Sequence, residues 1–251
     1  MPQQPSLKNK EHFILDGVFG SAVVLAVSNR LSGNMSLFYG GTAGALDNRK
    51  EFLEDLGVDY KFIVCAKQIH GSGIKYVKAK DIGSGALSYD TAIADTDALV
   101  TNVKNLALAV FTADCLPVFL YDPKTPAIGL AHAGWRSTQE NITFKVIQFM
   151  REVLKTKAQD LYVIFGPSIR SCCYEVGREF AKSPEEGLVR RNNRYYLDLV
   201  FLNQSQAKAS GVPESKILDS KICTYCQNNY FFSYRKEGKN CGRNMSLLML
   251  R

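Results

Sequence analysis

The sequence predicts one α/β domain with mixed sheets over residues 13–251, behind a loose tail at residues 1–12. Three observations predict it. Short apolar runs recur along the chain, bounded by Gly, Ser and Asn turn signals. Two stretches with helical apolar spacing stand among them, at 47–57 and 138–156. No Pro/Gly linker, low-complexity tract, short-period repeat or shift in composition divides the 251 residues. Several runs are joined by tight turns, which only antiparallel neighbours tolerate, so mixed sheets are expected.

Taken in order, FILDGVFG (13–20), SAVVLAVSNR (21–30) and NMSLFYGG (34–41) read as short strands. Asp47 opens a helix whose apolar stripe is Phe52, Leu53 and Leu56, with Gly57 as its stop. KFIVCAKQIHG (61–71) reads as a strand, and GIKYVKAKD (73–81) as its pairing partner. Residues 81–97 are rich in Gly, Ser and Asp without periodicity, the mark of a functional loop or lid. From Leu106 to Thr138 three apolar strands follow one another through two tight turns. The next helix, 138–156, presents Ile142, Val146, Ile147, Phe149, Met150, Val153 and Leu154 on one side, with Ser137 or Thr138 as its N-cap. LYVIFGPSI (161–169) reads as a strand entering a turn, and YEVGREFAKS (174–183) as a short helix. A strand-to-helix segment then ends at Gly211, and residues 231–250 read as a closing hairpin.

Hydrophobic residues make up 46% of the chain, enough for a substantial core. The net charge of +7, from 31 Lys and Arg against 24 Asp and Glu, is spread without a block or a nucleic-acid-binding signature. A nucleic-acid partner is therefore not expected, whereas a small anionic substrate suits the balance. No apolar run is long enough to span a bilayer, and MPQQPSLKNKEHF lacks the build of a signal peptide. The seven cysteines are an odd number in a chain too large to need disulfide staples. Reduced thiols, a cytoplasmic location and a monomer or weak homodimer without membrane contact are the expectation.

Cys115 falls at the first turn of the 106–138 stretch, His132 at the end of its last strand, and His70 after the 61–69 run. Two imidazoles and a thiolate are donors that suit a borderline-soft divalent metal, and they leave one tetrahedral position free. The spacing is not that of a local finger. It leaves open that His132 hydrogen-bonds at a strand end and Cys115 is a small core residue.

The words KQIHG, TADCLPVFLYDP, GLAHAGWRST, GPSIRSCCYEVG and FFSYRKEG…GR closely resemble the laccase-domain family, from about residue 47 to the C-terminus. Members of that family were long labelled multicopper polyphenol oxidoreductases and later assigned as purine nucleoside phosphorylases with adenosine deaminase activity. Where the family carries Ser-Leu-Asn, this chain has Ser36-Leu37-Phe38. The resemblance implies an α-β-β-α sandwich like the cytotoxic necrotizing factor catalytic domain. It also implies zinc, or copper in its place, held by His70, Cys115 and His132. Three histidines in all cannot build the several copper sites of a laccase, which leaves slow phenol oxidation as a side activity at most.

The resemblance implies phosphorolysis of adenosine, inosine or methylthioadenosine, which needs an anion held beside a developing sugar cation. Arg49, Lys67 and Arg136 are candidate phosphate holders, Arg136 because it precedes the expected helix N-terminus. Asp114, beside Cys115, and Asp97 are candidates for acid/base work or for orienting an imidazole, and Glu175 for reading the purine edge. Trp135 is placed to stack on a purine or simply to pack. Deamination by the same metal is a further activity. The competing arrangement is a cysteine hydrolase with Cys115 as nucleophile and His132 as base. A cysteine that holds metal is not free to attack, so the two exclude each other. Cys223 and Cys226 form a lone CxxC with Cys241 beyond it, read as reduced structural thiols with a second metal site as the alternative. Cys172 and Cys173 are vicinal, and Cys65 belongs to the core.

Overall fold

The computed structural model describes residues 12–14, 19–178, 180 and 187–251. The first strands are β1 (His12–Ile14), β2 (Val23–Ser28), β3 (Ile63–Cys65), β4 (Ile74–Tyr76) and β5 (Ala98–Thr101). The middle of the chain supplies β6 (Ala107–Thr112), β7 (Leu116–Asp122), β8 (Ala127–Ala133) and β9 (Tyr162–Phe165). The last strands are β10 (Glu175–Val176), β11 (Leu188–Arg191), β12 (Arg194–Leu197), β13 (Ile217–Asp219) and β14 (Asn244–Leu250). The helices are α1 (Ala45–Asp55), α2 (Trp135–Gln139), α3 (Ile142–Leu154), α4 (Leu199–Ala209) and α5 (Tyr234–Glu237).

A sheet in the order β1-β2-β14-β6-β3 lies against one in the order β13-β9-β7-β8-β5-β4. Pairs β3–β6, β4–β5 and β9–β13 are parallel and the other pairs antiparallel, so both sheets are mixed. A small antiparallel sheet, β10-β12-β11, stands beside them. The layering follows from strand alternation. On β6, Leu108 and Val110 join Phe119, Tyr121, Ile128 and Leu130 between the sheets. Ala107 and Ala109 turn outward onto α1 with Phe52, Leu53, Leu247 and Met249. On β7 and β8, Val118, Leu120, Ala127 and Ala131 face Val146, Ile147 and Met150 of α3. The outer face of β8 is all small, and a Cβ at Gly129 would stand 3.0 Å from Met150 Sδ. The α-β-β-α sandwich is thus seen directly, with α1 outside one sheet and α3 and α4 outside the other.

Several local expectations are corrected. Residues 34–41 form a loop, because side chains take its backbone partners. Ser36 Oγ accepts from Phe38 N and Tyr39 N, and Asn34 Nδ2 donates to Tyr39 O and Gly41 O. The 61–71 run yields only the short β3, after which Asp97 takes the amides of residues 69–71. β4 then joins the other sheet instead of pairing with β3. In the same way β6 does not pair with β7. The turn at 113–115 hands the chain from one sheet to the other.

The helix expected over 138–156 is two. α2 starts at Trp135, and Asn141 in a left-handed conformation (φ 60°) separates it from α3. Arg136 therefore lies inside α2 rather than ahead of a helix start. In the 174–183 segment, Glu175–Val176 is a strand paired with β12; residues 179 and 181–183 lie outside the described residues. The closing segment is not a hairpin. Ser233 N and Asn228 Nδ2 donate to Glu237, winding 234–237 into α5, and β14 inserts between β2 and β6. Most of the expected tail, 1–11, lies outside the described residues, while His12 pairs with Ser28 in β1. Among the described residues no helix is long and apolar enough to cross a membrane.

Candidate metal centre and active-site cavity

His70 and Cys115 sit on two of the connections that cross between the sheets, from β3 to β4 and from β6 to β7, and His132 near the end of β8. The fold brings the three together. Their ligating atoms lie within 4.8 Å of one another, and the two imidazole rings meet edge to face at 4.8 Å between centroids. Both crossings use left-handed backbone at non-glycine residues, φ 61° at His70 and 87° at Asp114. That conformation costs about 1–2 kcal/mol per residue and must be held by its surroundings.

Asp97 holds the first crossing. Its Oδ1 accepts from His70 N (3.0 Å) and its Oδ2 from Ile69 N (3.2 Å) and Gly71 N (2.8 Å). The same Oδ1 meets His132 Nδ1 at 2.8 Å. Asp97 is fully buried. Burial pushes its carboxyl upward, but the His132 contact and the amides of Gly71 and Ile69 outweigh it and hold the pKa below the ordinary value. A carboxylate only accepts, so the His132 proton is assigned to Nδ1 and the Nε2 lone pair faces away from Asp97. The second crossing is held by Asp114, whose Oδ1 accepts from Thr224 Oγ1 (2.7 Å) and Oδ2 from Arg235 N (2.6 Å). Both of its oxygens are engaged with the 224–235 segment, so Asp114 braces the turn that carries Cys115.

The donor set fits a divalent cation. Two imidazoles and a thiol converge, one imidazole is oriented by a buried carboxylate, and the backbone beside them has no room for a side chain. A Cβ at Gly134 would lie 3.1 Å from both Cys115 Sγ and His70 Cδ2. With no cation between them, Cys115 and His132 pair as thiolate and imidazolium. Burial pushes the thiol up and the imidazole down, yet their mutual charge wins and leaves Cys115 at about 6 and His132 at about 9. Alkylation of Cys115 in chelator-treated protein, read by peptide mass spectrometry, is therefore expected to rise through a midpoint near pH 6. In His132→Ala the midpoint should climb back towards about 8.5, the value of a free thiol. A midpoint indifferent to His132 would contradict the pairing.

The three ligands line a cavity of about 400 Å³ with Arg49, Gln68, Tyr89, Phe111, Tyr234 and Arg243. Arg49 is buried. Its Nε donates to Met35 O and its Nη1 to Gly85 O and Ala86 O, while the guanidinium lies over the Phe111 ring at 4.6 Å. Arg243 stands over Tyr39 at 4.6 Å and near Tyr234 at 5.9 Å. Gln68 exchanges two hydrogen bonds with Phe111, fixing the crossing to β6. From the loop at 81–97, Tyr89 reaches the cavity and stacks on Phe38 at 4.5 Å.

Of the candidate phosphate and base contacts, only Arg49 lines this cavity, with Asp97 directly behind it. Lys67 lies over the Tyr89 ring at 4.7 Å, Arg136 is exposed on α2, and Glu175 pairs with Arg194 at 3.1 Å. Trp135 packs against Phe180 in a separate apolar groove. Arg243, Tyr39, Tyr89 and Tyr234 were not singled out by sequence reasoning. The GR of the last matching motif was the available signal for Arg243.

The family model described as "Multi-copper polyphenol oxidoreductase laccase" matches residues 31–251. The chain belongs to that family. Among similar relatives of this laccase family, the purine nucleoside phosphorylase YlmD of Geobacillus stearothermophilus is 35% identical, over 86% of this chain and 82% of its own. A protein named adenosine deaminase RL5, from an unknown prokaryote, is 31% identical over 79% of each chain. The crystal structure of Geobacillus stearothermophilus YlmD superposes with a TM-score of 0.93 and 29% identity, covering 100% of both chains. That of Bacillus licheniformis YfiH gives 0.91 and 30%, covering 98% of this chain and 99% of that one. Among the described residues the groups that could hold a metal ion are one His/Cys/His group and one group of four cysteines, with no histidine-rich cluster to match the family's multicopper label.

Proposed function

We propose that this chain is a zinc-dependent purine nucleoside phosphorylase that converts adenosine, inosine or methylthioadenosine to free base and sugar 1-phosphate. One observation carries the reading: His70, Cys115 and His132 share a cavity with two guanidinium groups and several aromatic rings. A zinc ion held there supplies Lewis-acid charge next to the reacting groups. The guanidinium of Arg243, with the Arg49 Nη2 left over from its backbone bonds, holds the phosphate anion. Tyr39, Tyr89 and Tyr234 offer flat faces for a purine. The cavity volume falls in the range of about 300–1,000 Å³ common for small-ligand sites. Phosphate oxygen attacks C1′, the C1′–N9 bond breaks, and its electron pair leaves with the purine. Asp97 and Asp114 act through the ligands they position, and Lys67, Arg136 and Glu175 have no part in the reading.

Hypoxanthine release from inosine is the test. It should require phosphate, yield ribose 1-phosphate and stop on chelation. Arg243→Ala should raise KM for phosphate by about 10–100-fold, the worth of a hydrogen bond to a charged group, with a smaller change in KM for inosine. Phosphate-independent release would point elsewhere.

The Asp97–His132–Cys115 chain also has the layout of a thiol hydrolase, and the lowered Cys115 pKa favours that second reading. It predicts turnover by zinc-free protein without phosphate. The relative named as an adenosine deaminase favours testing inosine formation from adenosine alongside.

A further inference from the structure

Away from the cavity, four cysteines from two distant stretches meet. Cys172 and Cys173 lie in the turn after β9, and Cys223 and Cys226 in the segment after β13. Their sulfurs all lie within 4.8 Å of one another, with Cys173 to Cys226 at 3.3 Å and Cys172 to Cys226 at 3.7 Å. We propose that Cys172, Cys173, Cys223 and Cys226 bind one structural zinc ion as a tetrathiolate site.

Four sulfurs about 2.3 Å from a tetrahedral zinc stand about 3.8 Å apart; the separations of 3.3 and 3.7 Å, with all four sulfurs inside 4.8 Å, suit that geometry and lie far beyond the about 2.05 Å of a disulfide. Other contacts also hold the two stretches together. Ser168 and Cys223 form a parallel bridge, and Thr224 N donates to Ser168 O at 3.0 Å. Arg170 pairs with both carboxylate oxygens of Asp219 (2.7 and 3.0 Å) and donates to Ile222 O. Cys172 and Cys226 are exposed, which leaves a path for the ion. All four ligand positions are filled by protein, so the site is closed and its role is structural.

Its position gives that role content. Thr224, inside the CxxC, donates to Asp114, and Asp114 is the residue before Cys115. Zinc between the two stretches therefore stiffens the segment that braces the cavity from behind.

The His132→Ala chain isolates the site, because zinc retained there cannot come from the cavity. Protein purified under reducing, zinc-replete conditions should carry about one zinc per chain in that variant, and close to none once Cys226→Ser is added. Cobalt in place of zinc should give the intense sulfur-to-metal absorption of an all-thiolate site. Should the double variant fail to fold, alkylation serves: Cys172, Cys173 and Cys226 of the intact chain should resist iodoacetamide until a chelator is added. A metal-free His132→Ala protein with freely reacting thiols would overturn the proposal. So would a disulfide between Cys226 and Cys172 or Cys173 in the chain as isolated from reducing cells. Neither outcome bears on whether the cavity performs phosphorolysis.

Discussion

Replacing His132 with alanine is expected to strip the cavity of its metal and to lower phosphate-dependent nucleoside cleavage by at least about 10³-fold. The imidazole is the best-fixed ligand of the three: 2% exposed, and held at Nδ1 by a buried carboxylate. His70 is exposed at its crossing and Cys115 is half-buried, so neither can keep an ion in place alone. Metal content by mass spectrometry and initial rates with inosine and phosphate check the prediction together. Stability should change far less than activity, by about 1–3 kcal/mol, since Asp97 retains its three backbone donors. If the variant lost its metal and yet turned over inosine near the parental rate, the metal reading would fall. Cys115→Ser would then be the decisive comparison.

Asp97→Asn is expected to weaken metal retention and activity by about 10–100-fold, the usual cost of removing a group that orients a ligand. An amide presents one oxygen and one NH₂ where the carboxylate accepts four hydrogen bonds, so either orientation sets an N–H against another N–H. Unlike His132→Ala, this change also loosens the backbone that carries His70. The pH dependence separates the two variants. Because the folded-state pKa of Asp97 is depressed, its contribution is present above the ordinary carboxylate pKa and is lost as pH falls through the folded value. Urea unfolding of the parent should therefore show stability falling as pH drops below about 4, and Asp97→Asn should flatten that acid arm. An unchanged acid arm would mean Asp97 titrates alike in both states.

The parts of the fold legible in the sequence are those governed by neighbours along the chain. The 3.6-residue spacing of Ile142, Val146, Ile147 and Met150 marked α3, and short near-continuous apolar runs marked β2 and β6–β8. Failures cluster where a side chain captured backbone hydrogen bonds. Asp97 ended β3 early, Ser36 and Asn34 folded 34–41 into a loop, and Glu237 wound residues 234–237 into a turn of helix. His70, Cys115 and His132, which the fold brings together, stood out in the sequence because imidazole and thiol are rare, chemically distinctive groups and the motifs around them are specific. Which basic residue would line the cavity was not legible: Lys67 and Arg136 looked as suitable as Arg49, since a basic residue carries no mark of which way it will face.

Short-range periodicity by itself determined the α/β class, the family motifs around His70, Cys115 and His132 marked three donors able to hold a metal, and three histidines are too few for a four-copper oxidase. What only the tertiary structure decided is where the chain changes sheets. Strand alternation sorts side chains between two faces but says nothing about which strands pair, so the turns at 66–73 and 113–115 read as ordinary hairpin connections. Pairing is settled by non-local burial, as β14 inserts between β2 and β6 and the two apolar sheet faces close on each other. That burial carries His70 and Cys115 across the gap to His132, with Arg243 beside them from the far end of the chain.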